Sequence, residues 1–211
     1  MNIFYLDKNE ESCAQYHNDK HVVKMILEYA QLLSTAHRIT DGVLSVGLSK
    51  TGRKQTRYVL SDERNDVLYT ATHVNHPSAK WARHSAGNYH WLYSLLNNLC
   101  KEYTHRYGKH HVVETKVLPT LALVPNGLAA GEFTPPWRAM PDDVKIGDDS
   151  LASYRNYYIT KKRAMSRWTN RPMPVWFAEG IYNNYGDACY VVNDIKRSRI
   201  IQQPLSHYAN V

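Results

Sequence analysis

Lys24 and Glu28 stand four residues apart, with His21 one turn before Lys24 and with Gln31 and Thr35 continuing the same line. An amine, a carboxylate and an imidazole on one stripe suit the breaking of a glycosidic bond. The amine can attack a sugar C1′ carbon while the carboxylate stabilises oxocarbenium charge or moves protons. The pair also contains a tension, because a neighbouring carboxylate favours the charged ammonium whereas a nucleophile must be neutral. Burial or the nearby Lys20 has to offset that preference. Asp19, at the start of the same run, is a second candidate carboxylate. An internal ion pair that merely completes a core helix would use the same residues.

The element that must position this stripe is a helix from Asp19 to Thr40. At about 100° per residue, Lys20, His21, Lys24, Glu28, Gln31 and Thr35 fall within an arc of roughly 100°. Val22, Val23, Met25, Ile26, Leu27, Tyr29, Ala30, Leu32, Leu33 and Ala36 cover most of the remainder. A helix so apolar is largely surrounded by protein, so its polar groups either satisfy one another or line a wet recess.

A second long helix is expected to open at Asn75-His76-Pro77 and to run to about Tyr107, where Gly108 stops it. Trp81, Tyr89, Trp91, Leu92, Leu95, Leu96, Leu99 and Tyr103 form its core face, and His84 and Asn88 point inward near its start. Free N–H groups at Pro77, with His76 and His84 beside them, could hold a phosphate. Residues 40–57 carry Gly42, Gly47, Gly52, Arg53, Lys54 and Arg57 without sustained periodicity and read as a mobile basic loop. Between Pro125 and Pro141, prolines and glycines surround Trp137 and Arg138, which reads as an ordered loop holding an aromatic plane and a cation at low entropic cost. Asp148, Asp149 and Ser150 are expected to cap a third helix to about Trp168, whose outer side presents Arg155, Lys162, Arg163 and Arg167 as a basic face. The segment from Asn170 to Phe177 reads as extended, and the tail to Val211 as mixed, with a strand at Cys189–Val192.

With 211 residues, a formal charge of +7, 16 tyrosines and 11 histidines, the chain suits a single domain that meets an acidic, stackable partner. Cys13, Cys100 and Cys189 are odd in number and widely spaced, which fits a reduced, cytoplasmic protein. No apolar run reaches the roughly 20 residues that span a bilayer, and a membrane partner is not expected. His17 and His21 are four apart with Asp19 between them, yet no H-E-x-x-H or cysteine cluster accompanies them, so no metal is assigned. Neither a P-loop nor a G-x-G-x-x-G or G-x-S-x-G sequence occurs, and no cofactor is expected.

Three sets of residues carry a resemblance: Lys24, Glu28 and Gln31; His76, Pro77 and Trp81; and Cys100, Glu102, Tyr103, Thr104 and Arg106. In this order, after a short apolar start, they resemble the pyrimidine-dimer DNA glycosylases over residues 1–108, and the chain also looks like a bacteriophage protein, which would place it in the host cytoplasm. The resemblance implies an all-helical enzyme that flips a base out of DNA and cuts its glycosidic bond through an amine, with strand cleavage by β-elimination as a possible sequel. Trp137 would serve as the wedge. The family's phage enzyme uses the α-amine of a small residue exposed by removal of Met1. Asn2 is large here, so Met1 is expected to stay and Lys24 to substitute.

The sequence therefore predicts a mainly α protein, one compact helical domain with two long core helices and a Pro-rich loop, acting on DNA as a glycosylase of a damaged or modified base. Lys24, Glu28, Asp19 and His21 are the catalytic candidates. Asn2, Gln31, His76, Trp81, His84, Asn88, Trp137 and Arg138 are the substrate-binding ones. Lys20, Arg53, Lys54, Arg57, Arg155, Lys162, Arg163 and Arg167 would hold the backbone. The rivals are a nucleic-acid-binding or host-factor-binding protein without catalysis and a metal-dependent nuclease.

Overall fold

Caps and apolar periodicity set the main helices. A computed structural model describes residues 1–48 and 51–186, with the backbone of 189–192 and 200–203, and the chain is mainly α-helical. Asn9 accepts the Ser12 N–H to start α1 (Glu10–Tyr16), and Asn18 accepts the His21 N–H to start α2 (Asp19–Asp41). Met25, Ile26, Tyr29, Leu32, Leu33 and Ala36 of α2 are buried, in one core with Leu92, Leu95, Leu96 and Leu99 of a second long helix. Ahead of α1, the apolar segment Ile3–Leu6 is buried as expected, with the Phe4 N–H donating to the Tyr29 hydroxyl at 3.0 Å. Cys13 and Cys100 are buried free thiols.

The expected mobile basic loop is instead an antiparallel hairpin of β1 (Val43–Leu48) and β2 (Lys54–Val59). Its glycines had masked the β-branched, alternating character of the flanking residues. The chain then passes through a single turn, α3 (Arg64–Val67), and a loop to His76.

The second long helix is interrupted. After α4 (Pro77–Ala82) the backbone leaves the helical path at Arg83–Ser85, and Ser85 caps a new helix, α5 (Ala86–Tyr107), by accepting the Asn88 N–H. Gly108, at φ 66°, ends α5 as expected. A short α6 (Val112–Lys116) follows.

The Pro-rich loop leads to α7 (Ser150–Tyr157), capped by Asp149. The expected continuation to Trp168 does not form. A π-helical turn at Tyr158–Lys162 and a 3-10 turn at Arg163–Met165 replace it, as buried Tyr158 and Ile159 turn toward the core. The expected extended segment is partly helical, because Pro174 can precede a first turn, and α8 (Val175–Tyr185) begins directly after it. Strand β3 (Cys189–Val192) is present and pairs antiparallel with β4 (Ile200–Gln203). The expected mixed tail beyond residue 203 lies outside the described residues. None of the described helices is long and apolar enough to cross a membrane.

Candidate active site

One stripe of α2 separates into a sealed part and an open part. At its start, His21 is 5% exposed, stacks on Phe4 with ring centroids 4.1 Å apart, and bonds the Tyr158 hydroxyl through Nδ1. Burial pushes its pKa down to about 2, so the ring is neutral and committed to the core. This corrects the expectation that His21 is a catalytic residue. Asp19 is also withdrawn from the chemistry. Its carboxylate accepts from Arg106 at 2.9 Å, the Thr169 N–H at 2.9 Å and the Thr169 hydroxyl at 2.8 Å, which ties the start of α2 to the end of α5 and to the chain after α7.

One turn further, the stripe opens. Lys24 Nζ lies 3.2 Å from Glu28 Oε1, with the lysine side chain 66% exposed and the glutamate 15%. The carboxylate is therefore tucked against protein while the amine faces solvent. Gln31 follows, half-buried. Thr35 is buried, and its hydroxyl accepts the Thr72 N–H at 3.1 Å, which pins the loop before α4 against α2.

That pin brings two histidines toward Glu28. His76 caps α4, its Nδ1 accepting the Ser78 N–H at 3.2 Å, which leaves the neutral ring's proton on Nε2. Its pKa is lowered chiefly by burial and further by the positive Met1 α-amine and His73, with Glu28 acting in the opposite sense, so these four groups share one electrostatic neighbourhood. His73 adopts a left-handed backbone, φ 49°, and pairs with the Thr72 hydroxyl at 2.7 Å. A non-glycine residue held there is strained, as residues at functional sites often are. Sequence reasoning missed His73; its sole signal was a histidine three residues before the His76-Pro77 start. Met1 and Asn2 are half-buried at the head of the segment whose Phe4 is fixed to Tyr29.

The Pro-rich loop carries an exposed aromatic of its own. Trp137 is 41% exposed and lies beside the exposed His84, their ring centroids 5.9 Å apart. Its backbone is fastened: Ser150 donates to the Pro136 carbonyl, and the Tyr154 hydroxyl donates to the Trp137 carbonyl at 2.9 Å. Tyr154 in turn packs edge-on against Phe4, so the loop and the N-terminal segment share a support. Arg138 donates to the Gly147 carbonyl and to Asp148, which orients it within its own loop.

Several expected substrate or DNA contacts serve the core instead. Trp81 is fully buried and donates to the Thr134 carbonyl, and buried Asn88 bonds the Thr134 N–H, the Thr134 hydroxyl and the Trp81 carbonyl. Both fasten the Pro-rich loop, because a buried amide must find partners. Arg155 donates to the Leu6 carbonyl and Asp7 under the Trp176 ring, so it braces the N-terminal segment rather than facing outward. The expected phosphate seat at Pro77 is reduced, since α4 has six residues and His76 already takes the Ser78 N–H. Lys162 sits 4.7 Å over the Tyr157 ring and Arg163 3.9 Å over Tyr185. Arg163 and Arg167 are exposed, as are Arg53, Lys54 and Arg57 on the hairpin. Lys20 is exposed at the rim of a separate open depression of 840 Å³ with Val23, Tyr103 and Tyr107.

An open amine beside a sheltered carboxylate, in the electrostatic neighbourhood of His73 and His76, is equipped for proton transfer and for attack on a carbon electrophile. The sequence pattern of the pyrimidine dimer DNA glycosylase family matches residues 1–115. The chain belongs to that family. The match spans α1, α2, the hairpin, α4 and α5, and thus all of the open stripe, while the Pro-rich loop, α7 and α8 lie beyond it. No curated protein and no solved structure matches the chain.

Proposed function

We propose that this member of the pyrimidine dimer DNA glycosylase family cleaves the N-glycosidic bond of a damaged or modified base in DNA, with Lys24 as the nucleophile and Glu28 as its proton partner. The observation that carries the reading is the 3.2 Å approach of Lys24 Nζ to Glu28, a carboxylate sheltered from water beside an amine that is open to it. A DNA strand laid over the stripe removes that water, which favours transfer of the proton to Glu28 and frees the amine.

The amine then attacks C1′, and the electrons of the glycosidic bond leave with the base, which takes the proton that Glu28 received from Lys24. The carboxylate so regenerated takes one of the two protons of the new secondary ammonium and passes it to the ring oxygen as the sugar opens to an iminium, which water hydrolyses. If Glu28 withdraws a 2′ proton first, the 3′ phosphate leaves by β-elimination. Trp137 would fill the gap in the duplex or stack on a displaced base, and Asn2, Gln31 and His84 would contact the displaced nucleotide.

Borohydride added during reaction with ultraviolet-irradiated duplex DNA tests this. Reduction of the iminium should leave a covalent adduct whose DNA maps to the peptide containing Lys24, and Lys24→Ala should abolish it. A specific observation favours one variant reading, namely the electrostatic proximity of the Met1 α-amine to His76. DNA attached to the N-terminal peptide would move the nucleophile there. Tight binding with neither adduct nor released base would leave the non-catalytic binder.

A further inference from the structure

We propose that the β1–β2 ribbon is a DNA-binding arm that lies in a groove of the duplex flanking the target, away from the base that reacts. The inference rests on the DNA-directed reading above and assigns that site a second, distant contact.

Four observations point the same way. First, the ribbon is exposed along most of its length among the described residues, with the second strand bordering a depression shared with Arg38, Thr70 and Val74. Every residue of both strands is exposed except half-buried Tyr58, and Val43, Leu44, Val46 and Leu48 are 73%, 56%, 59% and 75% exposed. An isolated two-stranded hairpin is marginal in water, and contiguous exposed apolar residues mark an interaction surface.

Second, its base is clamped. Arg38, 4% exposed, spends its guanidinium on the carbonyls of Tyr58, Asn65, Leu68 and Tyr69 and on Asn65 Oδ1, at 2.6–3.0 Å. A Cβ on Gly42 would meet the Val59 carbonyl at 3.3 Å, so the end of α2 and the second strand join closely. The arm is thus presented in a fixed direction, which lowers the entropic penalty of binding.

Third, the charge is one-sided. Between Asp41 and Asp62 the sequence holds Lys50, Arg53, Lys54 and Arg57 and no acidic residue. That composition fits a polyanion. The register pairs Leu44 with Tyr58, Val46 with Thr56 and Leu48 with Lys54 on one face, and Val43 with Val59, Ser45 with Arg57 and Gly47 with Gln55 on the other. A two-stranded ribbon fits a DNA groove, where cations meet phosphates and apolar side chains lie against sugars and base edges.

Fourth, the arm is remote from the reacting centre. Asp41 lies thirteen positions beyond Glu28 along α2, which at about 1.5 Å per residue places the base of the ribbon roughly 20 Å along the helix. Along a duplex that distance is about six base pairs.

The test compares the affinity of the full chain for duplexes of about 25 and about 8 base pairs carrying the same central pyrimidine dimer, together with hydroxyl-radical footprints. Two doubly substituted proteins are used, Lys54→Ser with Arg57→Ser, and Leu44→Ser with Val46→Ser; thermal melting checks that each is folded. The wild-type protein should prefer the longer duplex by about tenfold or more, and protection should extend on one side to about six base pairs from the dimer or further. In both variants the preference should collapse toward one and the outer protection should vanish while the central protection stays. The charge variant should also lower the salt slope of binding by about two. Persistence of the length preference and outer footprint in both variants overturns the inference alone. So does a wild-type dimer in sedimentation that the apolar variant dissociates, since a second copy of the chain would then cover the face. Failure of the wild-type protein to bind either duplex removes the DNA-directed reading together with the arm.

Discussion

Lys24 and Glu28 form an i, i+4 ion pair whose lysine is mostly in water, and exposed pairs of this kind contribute about 0.3–0.5 kcal/mol to a helix. Stability is therefore a weak reason for the pair, and its removal is a clean probe of chemistry. Lys24→Ala should shift the midpoint of urea unfolding by less than about 1 kcal/mol while slowing base release by about 10²-fold or more, the scale associated with losing a proton-handling or nucleophilic group. Glu28→Gln keeps the shape of the side chain and removes its basicity, so it should retain DNA affinity and lose rate. Equal losses of stability and activity in Lys24→Ala would mark the pair as structural. Asp19 and Glu102 present the opposite case. Their carboxylates are shared among Arg106, Arg171 and Thr169; at buried Glu102, removing one partner leaves an uncompensated charge, at about 3–5 kcal/mol. On α2 itself, Asp19 meets a buried arginine and Thr169 whereas Glu28 meets an exposed lysine, so the proposed chemistry falls to Glu28.

At the scale of elements, the joint between α5 and the Pro-rich loop decides whether Trp137 is held in place. The Gly87 N–H donates to the Gly131 carbonyl at 2.9 Å, and a Cβ at Gly87 would meet the Phe133 nitrogen at 2.4 Å. Backbone cannot yield as a flexible side chain can, so Gly87→Ala should push the loop off α5 and destabilise the fold by roughly 1–3 kcal/mol. The accompanying sign should be a blue shift or quenching change in tryptophan fluorescence as Trp81 loses its bond to Thr134; an unaltered melting curve would show that the joint is slack. Joints are where the sequence was least readable. The 3.6-residue period of α2 gave its extent and its polar stripe directly, and Gly108 gave the end of α5. The period runs on through Arg83, His84 and Ser85, however, and the only local sign of a break is that Ser85 can cap Asn88. Val43, Leu44, Val46 and Leu48 carried a strand signal that the interspersed glycines diluted. Arg155 fell on the outer face by periodicity, yet the Leu6 carbonyl and Asp7 come from a segment about 150 residues away, and no local pattern encodes that meeting. His73 and His76 share a local turn, the His76 N–H donating to the His73 carbonyl at 2.8 Å, but what sets that turn against α2 is the Thr35–Thr72 bond, which likewise joins distant stretches of chain.

For the molecule as a whole, buried imidazoles govern how it should respond to acid. Burial lowers His17 and His37 from an ordinary 6.5 to about 4, and His21 to about 2. Each ring is neutral and bonded in the native state: His17 between the Cys13 carbonyl and the Tyr29 hydroxyl, His37 between Arg64 and Tyr89, and His21 with Tyr158. In the unfolded chain all three take protons below about pH 6.5, whereas the native chain takes them only at much lower pH, so stability must fall as pH drops through that window. For fully buried His17 the loss amounts to about 3 kcal/mol by pH 4, at 1.36 kcal/mol per pKa unit. Asp41 and Glu102, both held below the usual carboxylate range with arginines bonded to them, push in the same direction. Urea midpoints should therefore decline steadily from about pH 6.5 to 4, and the imidazole resonances of His17 and His37 should show no titration step near 6.5. A flat profile, or a step at that pH, would mean that these rings reach water in the native protein. Lysine and arginine side chains in general keep their charge throughout such a window. Acid should thus weaken the fold without weakening the phosphate contacts, and a loss of activity below about pH 5 should coincide with loss of helical circular dichroism and precede any decline in DNA affinity of the folded fraction.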